Sequence, residues 1–237
     1  MKFNPICLLL SLGCMLASHA NAIEINSLFS VADAQGNATF NIKNTQDKRL
    51  FLNVGMSKLE VVNGEIVTTP YSRDNIKDWE IDVRPARTIV DIGQTKDFQV
   101  TMRCGAHCDN KTDQFYQIAF VPSPYFDGET KPEKSVQMAI GFGATLVNPA
   151  PDQPISYQAT YKGKQVTVVN TGKTYLKARI DNCSDDASDL STCTRAFNVL
   201  PSRTLTVNVP DSMQKDYVDL TLKTNLDKYS EQKRLLK

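Results

Sequence analysis

The sequence predicts an all-β protein built as two sandwich domains. Three observations predict it. Short runs of alternating apolar and polar residues recur along most of the chain, separated by Gly, Pro and polar turn residues. A proline-rich break, Asn148-Pro149-Ala150-Pro151-Asp152-Gln153-Pro154, divides those runs into two sets. No stretch carries the sustained 3.6-residue apolar period of a helix.

The chain opens with an export signal. Lys2 supplies the positive start, an apolar run extends from residue 6 to residue 17, and Ala20-Asn21-Ala22 is a small-x-small cleavage site. Residues 1–22 are therefore expected to be removed after Ala22. Ser11-Leu12-Gly13-Cys14 offers a competing lipidation site at Cys14, weakened by the short apolar core before it. No later run reaches the 18 or so apolar residues of a spanning helix. The 237-residue chain holds 27 basic and 26 acidic side chains. Lys2 is the only one of these in the signal, so the mature chain is balanced. Such balance speaks against a nucleic-acid partner, which would call for a basic patch.

The first domain is expected over residues 23–148. Residues 38–42 and 50–54 read as strands, followed by 79–83, 88–92, 97–102 and 116–121. Pro122 ends the last of these, and 124–134 is a Pro-, Gly- and charge-rich loop before strand character resumes at Val136. The second domain is expected over residues 149–237, with strands at 165–170, 175–180, 197–200, 203–209 and 217–222 and a frayed tail at 233–237.

After the signal, Cys104, Cys108, Cys183 and Cys193 remain. An exported chain favours disulfides, and four cysteines allow three connectivities. The local pairing, Cys104 with Cys108 and Cys183 with Cys193, is favoured because the two pairs are far apart in sequence and fall in different domains.

Nothing in the pattern asks for an enzyme. The mature chain has one histidine, His107, inside a Cys-bracketed turn, and no Gly-x-Ser-x-Gly elbow, His-Glu-x-x-His helix or Gly-rich phosphate loop. Cys104, His107 and Cys108 are three soft ligands without a fourth nearby, so a disulfide is the better reading than a metal site. No cofactor is expected.

The most informative stretch is Ser135-Val136-Gln137-Met138-Ala139-Ile140-Gly141-Phe142-Gly143-Ala144-Thr145-Leu146. Val136, Met138, Ile140 and Phe142 share one strand face, and the other face is small or polar. A half-buried sandwich strand has this pattern. So does an edge strand that offers its apolar face to a partner by strand addition.

In order and local sequence, the mature chain resembles the PapD-like periplasmic chaperones of the chaperone–usher pathway, most closely the alternative branch with the common-pilus (Ecp-type) chaperones. The resemblance is carried by Asn41-Ile42-Lys43-Asn44-Thr45 with Arg49-Leu50, and by Val83-Arg84-Pro85-Ala86-Arg87-Thr88-Ile89-Val90 with Gly93. It continues through the 116–120 and 136–142 pair, Val168-Val169-Asn170-Thr171-Gly172, and Cys183 with Cys193. It implies two immunoglobulin-like sandwiches set at an angle, a periplasmic address, and partners that are pilus subunits and an outer-membrane usher. It also implies that Val136, Met138, Ile140 and Phe142 are the residues donated to an incomplete subunit, and it leaves room for a self-capping dimer. One departure stands out. PapD-like chaperones of the main branch anchor the subunit's C-terminal carboxylate with a cleft Arg and a cleft Lys. Here the corresponding positions fall near Leu28 to Ser30 and at Ala144 or Thr145, without either cation. Arg84, Arg87 and Arg103 are the candidate substitutes. The alternative reading is a structural pilus subunit or tip adhesin, which would carry an incomplete sandwich of its own.

Overall fold

The computed structural model describes residues 23–103, 111–125, 140–183 and 189–237. The expected signal, Cys104, Cys108, His107, Val136 and Met138 lie outside these residues.

The first sandwich comprises β1 (Ile23–Ile25), β2 (Phe29–Val31), β3 (Asn37–Asn44), β4 (Leu50–Val62), β5 (Glu65–Pro70), β6 (Ile81–Arg84), β7 (Arg87–Val90), β8 (Thr95–Met102), β9 (Gln114–Pro124) and β10 (Phe142–Asn148). One sheet has the order β1-β3-β8-β6; the other runs β2-β10-β9-β4-β5, with β7 paired to the far end of β4. Alternation decides which side chains meet between the sheets. Phe40 and Ile42 of β3, Phe98 and Val100 of β8, Tyr116, Ile118 and Phe120 of β9, and Ala144 and Leu146 of β10 are all buried there. The Phe120 ring lies 5.7 Å from Phe40 and 5.1 Å from Phe98, in tilted and edge-on contacts.

Two features of this sandwich were not expected. The chain starts in one sheet, with β1 antiparallel to β3, and then crosses to the other, where β2 runs parallel to β10. The crossing is held locally. Asn41 N donates to Asn26 Oδ1 at 3.0 Å, and Ser27 Oγ donates to Phe29 O at 2.6 Å. Strand β4 also continues to Val62 and returns as β5 through Asn63 and Gly64, both at positive φ. Asn-Gly is the residue pair that a two-residue hairpin turn of this hand requires.

The second sandwich comprises β11 (Tyr157–Lys162), β12 (Gln165–Asn170), β13 (Leu176–Asp181), β14 (Thr194–Val199), β15 (Thr204–Asn208), β16 (Tyr217–Lys223) and β17 (Ser230–Leu236). Its sheets have the orders β11-β12-β15 and β14-β13-β16-β17. The tail expected to fray is instead β17, antiparallel to β16 along its whole length. Alternation explains this: Leu235 turns inward and is buried, and Arg234 forms a two-point ion pair with Asp219 on the outside.

Both sandwiches use the same buried asparagine. Asn44 ends β3 and donates Nδ2 to Lys48 O and Val90 O, while its Oδ1 accepts from Gln46 N. Asn170 ends β12 and donates to Thr174 O and Val199 O, while its Oδ1 accepts from Gly172 N. Each side chain thereby satisfies a turn and a neighbouring strand end that would otherwise bury unpaired carbonyls.

Cys183 and Cys193 are joined by a disulfide across the end of the β13–β14 pair. The cysteines are 10 residues apart, so chain-entropy reasoning assigns the bond about 2–3 kcal/mol. The Cys183→Ser/Cys193→Ser double variant is expected to lose about that much stability, read as an earlier calorimetric transition of the second sandwich. An unmoved transition would mean that the bond closes a loop already ordered without it.

The two sandwiches meet through an apolar cluster. Leu59, Phe115 and Val147 of the first pack with Tyr175 and Leu200 of the second, with Phe29, Val31, Val61 and Ile66 around them. The Phe29 and Tyr175 rings meet in a tilted contact, 5.2 Å between centroids. The β4–β5 turn adds a backbone bond, from Thr204 N to Gly64 O at 3.3 Å.

Candidate functional site

The site expected from sequence is the strand that precedes the proline-rich break. In the structure it is β10, fixed on one side by the full length of its ladder with β9, from Phe142 opposite Phe120 to Asn148 opposite Gln114. On the other side it is only half covered. Strand β2 is three residues long and reaches Thr145, Leu146 and Val147, flanked by bonds from Thr145 N to Leu28 O and Ala32 N to Val147 O. From Phe142 to Ala144 no described strand pairs with that outer edge. The cause is the crossing at Asn26 and Ser27, which brings the chain into this sheet too late to cover more of it. An open edge with unpaired amides and carbonyls is the element that strand addition needs.

The apolar face divides at the end of the ladder. Phe142 is half-buried and packs against the first sandwich's own core, in line with Ala144 and Leu146. Ile140, two residues earlier on the same alternation, is 74% exposed. Met138 and Val136 lie outside the described residues. A strand was expected from residue 135 to 146; in the structure Ile140 and Gly141 precede it. Continuing the register places Ile140 opposite Pro122, and proline has no N–H to donate to a ladder. Gly141 has a separate constraint. A Cβ at this position would lie 2.6 Å from the Phe120 carbonyl oxygen. Gly141→Val is therefore expected to push residues 140–142 off β9, weaken any partner binding by about tenfold or more, and leave the rest of the fold in place. Titration of the variant against a bound partner, with circular dichroism as the fold control, checks this; unchanged affinity would show that the close approach is dispensable.

The candidate cations are dispersed. Arg84 is exposed and pairs with Asp82 at 3.0 Å, next to the cis Arg84–Pro85 bond. Arg103 follows β8 and donates its backbone N–H to Glu80 O at 2.7 Å. Because Arg84 pairs with Gln99 and Ile81 with Met102, these two arginines sit at opposite ends of the β6–β8 ladder. Arg87 is exposed on β7, opposite Asn53. It alone of the three lies in the sheet that contains β10. Beside the covered half of β10 stand Leu28, Phe29 and Ser30 with Thr145 and Leu146, so that corner is apolar and hydroxylic.

Sequence reading passed over one polar cluster, at an open end of the first sandwich. Lys58 Nζ and Tyr116 Oη each donate to the Glu80 carboxylate at 2.7 Å, and Tyr71 Oη accepts from Glu80 N at 3.3 Å. Tyr71 stacks on Trp79 at 5.7 Å. The signal was available: Lys58 falls on the inward alternation of β4, after Val54 and Met56. Burial favours the uncharged amine at Lys58, but the Glu80 hydrogen bond and charge outweigh it and hold its pKa above the usual value. Burial, then Glu80, push the Tyr116 phenol strongly upward, so it remains a donor at any physiological pH. The cluster is a satisfied polar plug. It contains a cation, a carboxylate and two phenols, and no nucleophile paired with a base. Among the described residues no group of three His, Cys, Asp or Glu could hold a metal ion. No described helix is long and apolar enough to cross a membrane.

The model of the CS5 fimbrial protein N-terminal domain matches residues 25–149. A comparison with curated proteins finds no match. Among solved structures, the complex of Salmonella enterica SafA pilin with the SafB chaperone aligns with a TM-score of 0.57 at 13% identity, over 93% of this chain and 99% of that one. The CsuC–CsuE chaperone–tip subunit pre-assembly complex of the archaic Csu pili of Acinetobacter baumannii aligns at 0.55 with 10% identity, over 90% and 98%. The class 5 fimbriae chaperone CfaA aligns at 0.53 with 14% identity, over 91% and 99%. At these identities the likeness establishes a shared fold: two immunoglobulin-like sandwiches in the arrangement of the periplasmic pilus chaperones.

Proposed function

We propose that this chain, which belongs to the family of the CS5 fimbrial protein N-terminal domain through residues 25–149, is a periplasmic chaperone. It binds fimbrial subunits by lending them a strand and hands them to an outer-membrane usher. The observation that carries the proposal is the open outer edge of β10 from Phe142 to Ala144, preceded by the exposed Ile140. It is supported by the fold shared with solved pilus chaperones.

The mechanism follows from the edge. A subunit that lacks a strand exposes both a groove and unpaired backbone groups. The segment leading into β10 fills both. Its amides and carbonyls complete the subunit's ladder, and Val136, Met138, Ile140 and Phe142 enter the groove on alternate positions. Burying an exposed apolar side chain such as Ile140 contributes about 1.5–3 kcal/mol before the cost of association. Phe142 contributes less because it is already half-buried in the first sandwich. The same open edge suits a second copy, so the free protein caps itself as a dimer when no subunit is present. The subunit carboxylate is held by Arg87, which shares the sheet with β10, or by Arg84 or Arg103, rather than by a cation beside Thr145. No cofactor takes part and no bond is made or broken. The first sandwich holds its own last strand between β9 and β2, which speaks against a subunit that awaits a donor. The Ecp-type placement rests on the sequence resemblance alone.

The test is periplasmic co-expression with a fimbrial subunit encoded beside this chain. A soluble 1:1 complex, with the subunit degraded or aggregated when expressed alone, is the expected result. A subunit equally stable with and without this chain would overturn the proposal.

A further inference from the structure

One buried acid lies outside the site just described. Asp113, immediately before β9, is 5% exposed. Its Oδ1 accepts from Ala150 N at 2.7 Å, and its Oδ2 accepts from Tyr175 N at 2.7 Å and Thr174 Oγ1 at 2.9 Å. Its own backbone N–H donates to Lys173 O at 2.9 Å. Among the described residues no cation pairs with it. Burial drives its pKa up, against the pull of the three donors. An ionised group kept in such a place without a counter-charge is costly, and its three donors are what make it tolerable.

Three segments meet at this carboxylate. Asp113 begins β9. Ala150 lies just beyond the end of β10, in the proline-rich break. Thr174 and Tyr175 belong to the second sandwich, where they lead into β13. The carboxylate thus ties the base of the β9–β10 pair, whose outer edge is open, to the second sandwich. The Tyr175 ring also packs at a tilt against Phe29 of β2, the strand that covers the lower half of that edge. We infer that Asp113 is a positioning residue: its carboxylate latches the second sandwich against the base of β9 and β10 and so sets the angle at which a bound subunit meets it. Its consequence for binding rests on the chaperone reading; the latch itself does not.

The chemistry makes a sharp demand. Every group facing the Asp113 side chain is a donor, so only an acceptor on both oxygens fits. Asparagine has nearly the same shape but turns an N–H₂ toward an N–H. Asp113→Asn is therefore expected to release the joint while the two cores stay folded. Amide hydrogen exchange on the mature protein reads this directly. The Ala150 and Tyr175 amides should lose protection on the order of 10–100-fold, as a lost hydrogen bond to a charged acceptor implies. Core amides such as those of Ile118 and Leu220 should keep theirs, and small-angle scattering should show a broader shape distribution. Subunit affinity should fall about tenfold with no change in the stability of either core.

Unchanged protection at Ala150 and Tyr175 would overturn the latch. Lost protection with undiminished affinity would overturn the positioning role. If the wild type holds no subunit, the chaperone reading fails, and the exchange data still decide the latch. Should Asp113→Asn not fold, Thr174→Val removes one donor and keeps the acid; it should loosen the Tyr175 amide in the same direction, and a fully protected amide there would sink the inference.

Discussion

Ile140→Asp is expected to abolish complex formation with a fimbrial subunit, lowering affinity by at least ~100-fold, while the chain stays folded. Both halves of this expectation come from the exposure of Ile140. Ile140 is 74% exposed and stands outside any strand, so replacing it removes nothing from the protein's own core, and surface changes of this kind move stability by only about ±0.5 kcal/mol. In the subunit groove proposed above the same side chain would be enclosed. A carboxylate there is desolvated without a partner, which costs far more than the lost contact. Calorimetric titration with a purified subunit reads the affinity, and melting by circular dichroism reads the fold. Full-strength binding by the variant would remove the segment before β10 from the mechanism. A large fall in melting temperature would instead place Ile140 inside the protein's own packing.

The opposite result is expected one strand away. Phe120→Ala should destabilise the first sandwich by about 3–5 kcal/mol, the usual cost of deleting a buried aromatic ring. Phe120 has no exposure, its ring touches those of Phe40 and Phe98, and its backbone pairs with Phe142 on one side and Val54 on the other. Removing it leaves a void between rings that belong to different strands and cannot close together. Denaturant unfolding, followed by probes in each sandwich, should show the first transition moving and the second nearly unchanged. A loss under about 1 kcal/mol would mean that the three-phenylalanine contact relaxes around the gap, contrary to the packing argument. Together the two variants separate a residue proposed to serve a partner from one kept for the fold, although Ile140 lies only two residues before Phe142, the ladder partner of Phe120.

How legible these roles were in the sequence differs by residue. The alternation of β3, β8, β12 and β16 reads directly, because a period of two leaves no choice of inward face once one strand is placed. The return strand β5 was also legible in principle. Asn63-Gly64 is a strong short-range hairpin signal, and β4 was read too short because its inward run includes Lys58. The tail was misread for the same kind of reason. Ser230 to Leu236 has a single inward apolar residue, Leu235, so its pattern is weak until β16 stands beside it. The polar plug at Glu80 was legible only at Lys58, a cation on an inward position of β4; its partners Tyr71, Glu80 and Tyr116 come from three other segments.

Sequence alone determined that the chain is all-β, that it is interrupted by a stiff proline-rich segment, and that residues 136–142 carry an unusually apolar alternating face. These are local properties, written in periodicity and in the conformational limits of proline. Tertiary structure decided where that face stops belonging to the protein itself. Phe142 and Ile140 are equivalent in pattern, yet one packs on the core and the other stands in solvent. The ladder with β9 ends between them, where Pro122 removes a donor and β2 has not yet reached the edge. Tertiary structure also decided the role of Asp113, an unremarkable acid in sequence. Its meaning depends on three donors from the linker and the second sandwich converging on one carboxylate, and hydrogen bonds between distant segments leave no periodic trace in the chain.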